Sequence, residues 1–149
     1  MSRFCDFLKE CGTFFLLTST PDGPEGRPCG AVMEREGDLF LAASREMFVC
    51  NQMLLDPKVQ LVALKPGTRQ WMRLRGRATP CPDLFLKEQM LEECPVLKKY
   101  FSGIKDENFV LFQIKLKTAS LHTEHGIEGW TEDGIQSLAA AEQGESRRS

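Results

Sequence analysis

Trp71-Met72-Arg73-Leu74-Arg75-Gly76-Arg77-Ala78 decides the fold. A period of two sets Trp71, Arg73, Arg75 and Arg77 on one face and Met72, Leu74, Gly76 and Ala78 on the other. That is the pattern of a half-buried β-strand, spanning 70–79. Just upstream, Lys58 to Leu64 alternates in the same way, and Lys65-Pro66-Gly67 supplies a turn between the two. Further upstream, Thr13 to Thr20 is rich in Phe, Leu and Thr and reads as a strand. The dense turn signal Pro21-Asp22-Gly23-Pro24-Glu25-Gly26 follows it. A strand over 27–35, a tight turn at Glu36-Gly37 and a strand over 38–43 then form a hairpin. The last strand, 109–121, alternates Val110, Phe112, Ile114 and Leu116 inward against Lys115 and Lys117. Six strands with two or three peripheral helices predict a mainly β (α+β) domain, a six-stranded antiparallel barrel.

The helices are legible from their spacing. Phe4, Phe7, Leu8 and Cys11 fall on one helical face, with Ser2 as a cap and Gly12 as a stop. Ser44 reads as the N-cap of a helix that ends at Asp56-Pro57. Pro82 and Asp83 open a third helix carrying Leu86, Met90, Leu91 and Cys94, closed by Pro95. After Thr123 the chain turns polar, and 124–149 reads as a loose extension beside the 1–123 domain, with a short helix near 137–142.

Composition narrows the function. The chain has 149 residues and a net charge of -2, so it carries no general attraction to nucleic acid or to an anionic membrane. The N-terminus lacks the apolar region of a signal peptide and no run is long enough to span a bilayer, which predicts a cytoplasmic protein. Six scattered cysteines without a C-x-x-C pair then read as reduced thiols, most of them small core residues. His122 and His125 lack the further ligands of a metal site, so no metal is expected.

The chemistry-bearing residues lie on the strands and at one turn. Arginines alternating with Trp71 suit a planar anion, since guanidinium binds phosphate and both groups stack on aromatic rings. The same stripe reads equally well as the solvated outer face of a strand, or as an oligonucleotide-binding face, which the net charge disfavours. Gly30, inside the second predicted strand, marks a bulge or the close approach of a ligand. Ala43-Ser44-Arg45, where a strand feeds a helix, offers unpaired N–H groups to a phosphate, although one serine there is more often only a cap.

Four segments, taken in order and spacing, resemble a known family. They are Arg27-Pro28-Cys29-Gly30-Ala31-Val32-Met33, Leu39-Phe40-Leu41-Ala42-Ala43-Ser44, Asp56-Pro57-Lys58-Val59 and Trp71-Met72-Arg73-Leu74-Arg75-Gly76. Over about Phe4 to His122 the chain is similar to the pyridoxamine 5'-phosphate oxidase-like, FMN-binding split barrels. The resemblance implies a split barrel, a homodimer and FMN in a groove between the subunits. It implies cofactor contacts at Arg27, Pro28 and Gly30, at the phosphate turn Ser44 and Arg45, at Asn51 and Gln52, and at Trp71 and Arg73. Where relatives commonly carry two or three basic residues, this chain reads Arg45-Glu46-Met47-Phe48. The function so implied is an FMN-dependent oxidoreductase acting on a small molecule, with no catalytic acid or base assigned. The alternative is a non-catalytic dimer holding flavin or haem, and deazaflavin is a further cofactor choice. The C-terminal pattern through which the oxidase itself binds its substrate is missing.

Overall fold

The computed structural model describes residues 3–148, with side chains described through residue 142. Ser2, expected to cap the first helix, lies outside the described residues. An eight-stranded antiparallel sheet forms the body, in the order β2-β1-β5-β6-β7-β4-β3 with β8 paired to β7. The strands are β1 (Phe14–Thr20), β2 (Gly23–Cys29), β3 (Met33–Arg35), β4 (Asp38–Ser44), β5 (Lys58–Leu64), β6 (Trp71–Pro80), β7 (Phe109–Thr123) and β8 (Gly126–Thr131). The helices are α1 (Arg3–Cys11), α2 (Phe48–Leu55), α3 (Leu84–Glu93) and α4 (Glu132–Arg148), with a 3-10 turn at Pro95–Lys99.

The sheet therefore has eight strands, where six were expected. One extra strand comes from a split in the segment 27–35, and the other is β8, in the C-terminal segment. The single strand expected over 27–35 is two strands, because pairing with β1 ends at Cys29 and pairing with β4 begins at Met33. Gly30, expected inside a strand, sits in the link between them. It needs no close approach, since a Cβ there would meet Gly12 O at an ordinary 3.5 Å. The turn over 21–26 is also shorter than expected: Thr20 pairs with Gly23, leaving only Pro21-Asp22 between β1 and β2. Pro24 and Pro28 are tolerated because β2 pairs on one side only, where a missing N–H breaks no ladder.

The polar segment 124–149 is not a loose extension over the residues described. It forms β8 on the far half of β7, then α4, which is much longer than the short helix expected. Ile135 is buried in the main core, and Leu138 and Trp130 pack against that core. A β-carbon on Gly37 would stand 2.7 Å from the Ala139 side chain, so α4 lies directly on the β3–β4 turn. That turn needs left-handed backbone at both residues (φ 55° at Glu36 and 88° at Gly37), as two-residue hairpins do.

Two cores follow from the period-two pattern. The inward residues Phe14, Leu16, Leu61, Met72, Leu74, Phe112 and Ile114 meet under α1 in the larger one. The other face of β4 and β7 is covered by α3 and the 3-10 turn, through Met33, Phe40, Met90, Leu97, Phe109 and Leu111. Phe109 to Phe112 are consecutively buried because β7 is sandwiched there. The expected helix opening at Asp83 is observed, its carboxylate accepting a hydrogen bond from Leu86 N at 3.0 Å.

Candidate functional site

The residues expected to hold a cofactor fall into three groups. Arg27 and Gln52 are brought together beneath α2. Arg27 donates from Nη1 to Leu16 O at 3.1 Å and Thr18 Oγ1 at 2.9 Å, and from Nη2 to Gln52 Oε1 at 2.9 Å. Thr18, 2% exposed, donates to the same Gln52 oxygen at 2.7 Å. Gln52 Nε2 in turn donates to Glu25 Oε2 at 2.8 Å. The chemistry is satisfied internally: a backbone carbonyl, a buried hydroxyl and an amide oxygen occupy most of the guanidinium fork, with the Glu25 carboxylate 3.8 Å away. Asn51 and Pro28 stand nearby in sequence and are exposed.

The second group is the turn after β4. Ser44 is the last residue of that strand, and α2 begins only at Phe48 with Met47 as its cap residue. Ser44 is therefore not the helix N-cap; its Oγ instead accepts from Glu46 N at 3.3 Å, closing a local turn. Arg45 is anchored to the loop before β7, with its N donating to Asn108 O at 2.9 Å and its Nε to Glu107 O at 3.1 Å. That loop is organised by Asp106, whose carboxylate accepts from Ser102 N and Asn108 N, both at 2.9 Å. These two amide donors hold the Asp106 carboxyl below its usual range. Arg45 is exposed, its Nη groups have no hydrogen-bond partner among the described residues, and α2 has no side chain capping its first turn.

The third group lies on the outer face of the sheet. Trp71 and His122 are directly opposite across β6 and β7, and their rings stack at 3.8 Å with planes 7° apart. The Arg73 guanidinium stands 5.0 Å from the Trp71 ring, within range of a cation–π contact. Ser120 Oγ lies 3.0 Å from His122 Nε2. An open cavity of about 810 Å³ borders Trp71 and His122, with Thr68, Arg69, Thr123 and Glu124 on its rim. His122 was not among the expected cofactor residues. The signal was present in the alternation of the last strand, but pairing His122 with Trp71 required the register between two strands.

Trp130 packs edge-on against Phe4 at 5.2 Å and beneath the Arg3 guanidinium at 4.9 Å. It belongs to the contact between β8 and α1. Burial pushes the Cys5 thiol up to about 12, and it raises Cys11, Cys29, Cys50 and Cys94 as well. None of these five is an activated nucleophile. Among the described residues no group of three or more His, Cys, Asp or Glu is placed to hold a metal, and no helix is long and apolar enough to cross a membrane.

Comparison with known proteins follows the same lines. The sequence model of the family described as Pyridoxamine 5'-phosphate oxidase matches residues 3–123. A NimC/NimA family protein from Clostridium acetobutylicum is 32% identical, with 87% of this chain and 90% of that one covered and a TM-score of 0.80. A pyridoxamine 5'-phosphate oxidase-related, FMN binding protein from Nostoc punctiforme shares the fold at 16% identity, covering 80% and 79% of the two chains with a TM-score of 0.64. A heme binding protein from Mycobacterium smegmatis shares it at 16% identity, covering 87% and 60% with a TM-score of 0.70. No curated protein matches the sequence. With an eight-stranded antiparallel sheet, four helices and a family match over 3–123, the chain belongs to the pyridoxamine 5'-phosphate oxidase-like, FMN-binding family.

Proposed function

We propose that this protein is an FMN-dependent oxidoreductase that acts on a small, electron-poor molecule, and that it works as a homodimer. The observation that carries this reading is the Trp71–His122 stack beside an open cavity on the outer face of the sheet. A flat aromatic pair flanked by Arg73 is a surface on which a planar, electron-poor ring can lie. When bound, FMN supplies the hydride or electron transfer.

The residues present fit FMN with a changed division of labour. Arg45, exposed and with its Nη groups unpartnered among the described residues, and the uncapped first turn of α2 are the groups suited to its phosphate. Arg27 and Gln52 act one step further out. Their shared hydrogen bonds tie α2 to β1 and β2, and so set where the first turn of that helix stands. Glu46 sits beside this turn and opposes an anion there, so the grip on phosphate is weaker than two or three cations would give. Losing two charge-assisted hydrogen bonds weakens binding by roughly 10²–10⁴-fold.

The homodimer is supported by the apolar end of the outer face. Phe15, Val62 and Leu64 lie on one side of β1 and β5, with Phe15 51% and Leu64 58% exposed. A second copy covering that patch would bury it at the end of the sheet where Trp71 stands.

The test is the visible spectrum of the purified protein after addition of excess FMN and removal of the unbound fraction. Retained flavin bands in near-stoichiometric amount, followed by bleaching with a chemical reductant and reoxidation by an added electron-poor aromatic, support the reading. A folded, dimeric protein that retains no flavin overturns it. The second reading, a carrier or sensor for flavin or haem, is favoured by the engagement of Arg27 and by Glu46. Flavin retained without turnover, or haem retained in its place, would establish it.

A further inference from the structure

The end of the same outer face opposite to Trp71 carries a row of cations that fold stability does not explain. Lys58 on β5, Arg77 on β6 and Lys115 on β7 are direct cross-strand neighbours. Like charges placed opposite one another destabilise a sheet. Arg75 lies two residues along from Arg77 on the same face. Lys117 is the extra residue of a β-bulge, since Arg75 pairs with Thr118 and Gly76 with Leu116. Bulges of this kind re-aim a side chain. The bulge also brings the backbones together, because a Cβ on Gly76 would meet Lys115 O at 2.6 Å.

Counter-charges are few. Asp56 lies 3.7 Å from Lys58 and Glu132 3.1 Å from Lys117. Among the described residues, neither the Arg75 nor the Arg77 side chain has a hydrogen-bond or ion-pair partner, and both are exposed. Lys115 lines a neighbouring pocket with Glu36 and Asp38, while the other four cations, Lys58, Arg75, Arg77 and Lys117, collect against two carboxylates on a chain whose net charge is -2. Between them is a groove of about 360 Å³, walled on its other side by Leu17, Ser19 and Pro24.

We infer that this groove binds the diphosphate group of a small anionic molecule. The size of the charge row selects the ligand. Within the groove Lys58 and Arg77 stand one strand spacing apart, roughly 5 Å, and Arg75 lies two residues along, roughly 7 Å, which suits two linked phosphates. A polynucleotide would need a longer basic track with stacking aromatics along it. No aromatic residue lines this groove. The two arginines supply planar forks for phosphate oxygens, and the lysines supply point charges around them. The assignment is independent of whether FMN is bound.

The probe is inorganic pyrophosphate, titrated calorimetrically into the full chain at low ionic strength. One saturable site per chain is expected. Arg75→Gln and Arg77→Gln should each weaken it roughly tenfold or more, whereas Lys98→Gln, the same charge change on the remote 3-10 turn, should not. These side chains are exposed, so the variants should match the parent in circular dichroism and melt no lower, since removing a cation relieves cross-strand repulsion. Absence of saturation up to about 1 mM, or equal weakening by Lys98→Gln, overturns the assignment. So does retention of a single-stranded oligonucleotide with a steep salt dependence when pyrophosphate does not bind, which would make the row a nucleic-acid contact. FMN retention is measured on the same variants. If it falls with Arg75→Gln or Arg77→Gln, the groove is part of the flavin site and not a separate one. If it is unchanged while pyrophosphate binding is lost, the groove stands whatever the fate of the flavin reading.

Discussion

Arg27 shows how far a residue's identity can be right while its partners are unforeseen. The sequence places an arginine on an early strand, where a flavin phosphate would attract it. The fold gives its donors to Leu16, Thr18 and Gln52 instead. No sequence pattern reports that the hydroxyl of Thr18 is buried and needs a partner. Removing the guanidinium leaves that polar group and the Gln52 amide short of a donor. Arg27→Ala should therefore destabilise the protein without any cofactor present, by about 1–3 kcal/mol. The urea midpoint of the apo protein reads this. An unchanged midpoint with lost FMN retention would return Arg27 to the cofactor. Trp71 is the converse case. It is partly exposed and stacks on a His122 that is also partly exposed, so Trp71→Ala should cut FMN retention while the apo midpoint moves little.

At the scale of elements, strands with one buried face were legible and edge elements were not. β5, β6 and β7 announce themselves by alternation, because burial on one face forces it. β8 has an exposed or partly exposed residue at every position, so it carries no such pattern and is recognised only by pairing with β7. α4 was hidden for a similar reason: among its described side chains, Ile135 and Leu138 are the apolar ones that reach the main core. If that contact fastens the segment, Ile135→Ala should lower stability by roughly 2–4 kcal/mol in thermal unfolding. A change near zero would mean α4 contributes nothing to the fold. Gly76 offers a sharper test of the bulge. Its methyl would meet backbone rather than a movable side chain, so Gly76→Ala should cost about 1–3 kcal/mol at least. The position of Ser44 was misjudged by one element: a serine followed by a carboxylate reads as a helix cap, but the strand runs through Ser44 and the helix waits until Phe48.

For the whole molecule, the outer face of the sheet runs from an apolar end at Phe15, Val62 and Leu64 to the cationic row at Lys58, Arg77 and Lys115. Leu64→Lys should separate the proposed dimer into monomers in a sedimentation experiment at micromolar concentration, and a dimer that persists would place the contact elsewhere. Alkali offers a second global test. Folded Cys5 keeps its proton up to about 12, against an ordinary value of 9.0, and its buried companions shift the same way. Above pH 9 the unfolded chain releases protons that the folded chain retains, so stability should be intact below that pH and fall as it rises toward 12. Urea midpoints at pH 8 and 10.5 read this, and Cys5→Ala should flatten the slope. β7 carries one more consequence. It is the shared neighbour of β6, β4 and β8, and β4 has no other partner except the three-residue β3. During synthesis the β3–β4 hairpin therefore emerges long before the strand that will receive it, with Leu39, Phe40 and Leu41 bare until residue 109 and beyond has left the ribosome. Chains stopped short of β7 have no completed sheet to offer and an apolar hairpin to aggregate through. Refolding of the full chain, waiting on that late and distant docking, belongs to the slow, millisecond-to-second class.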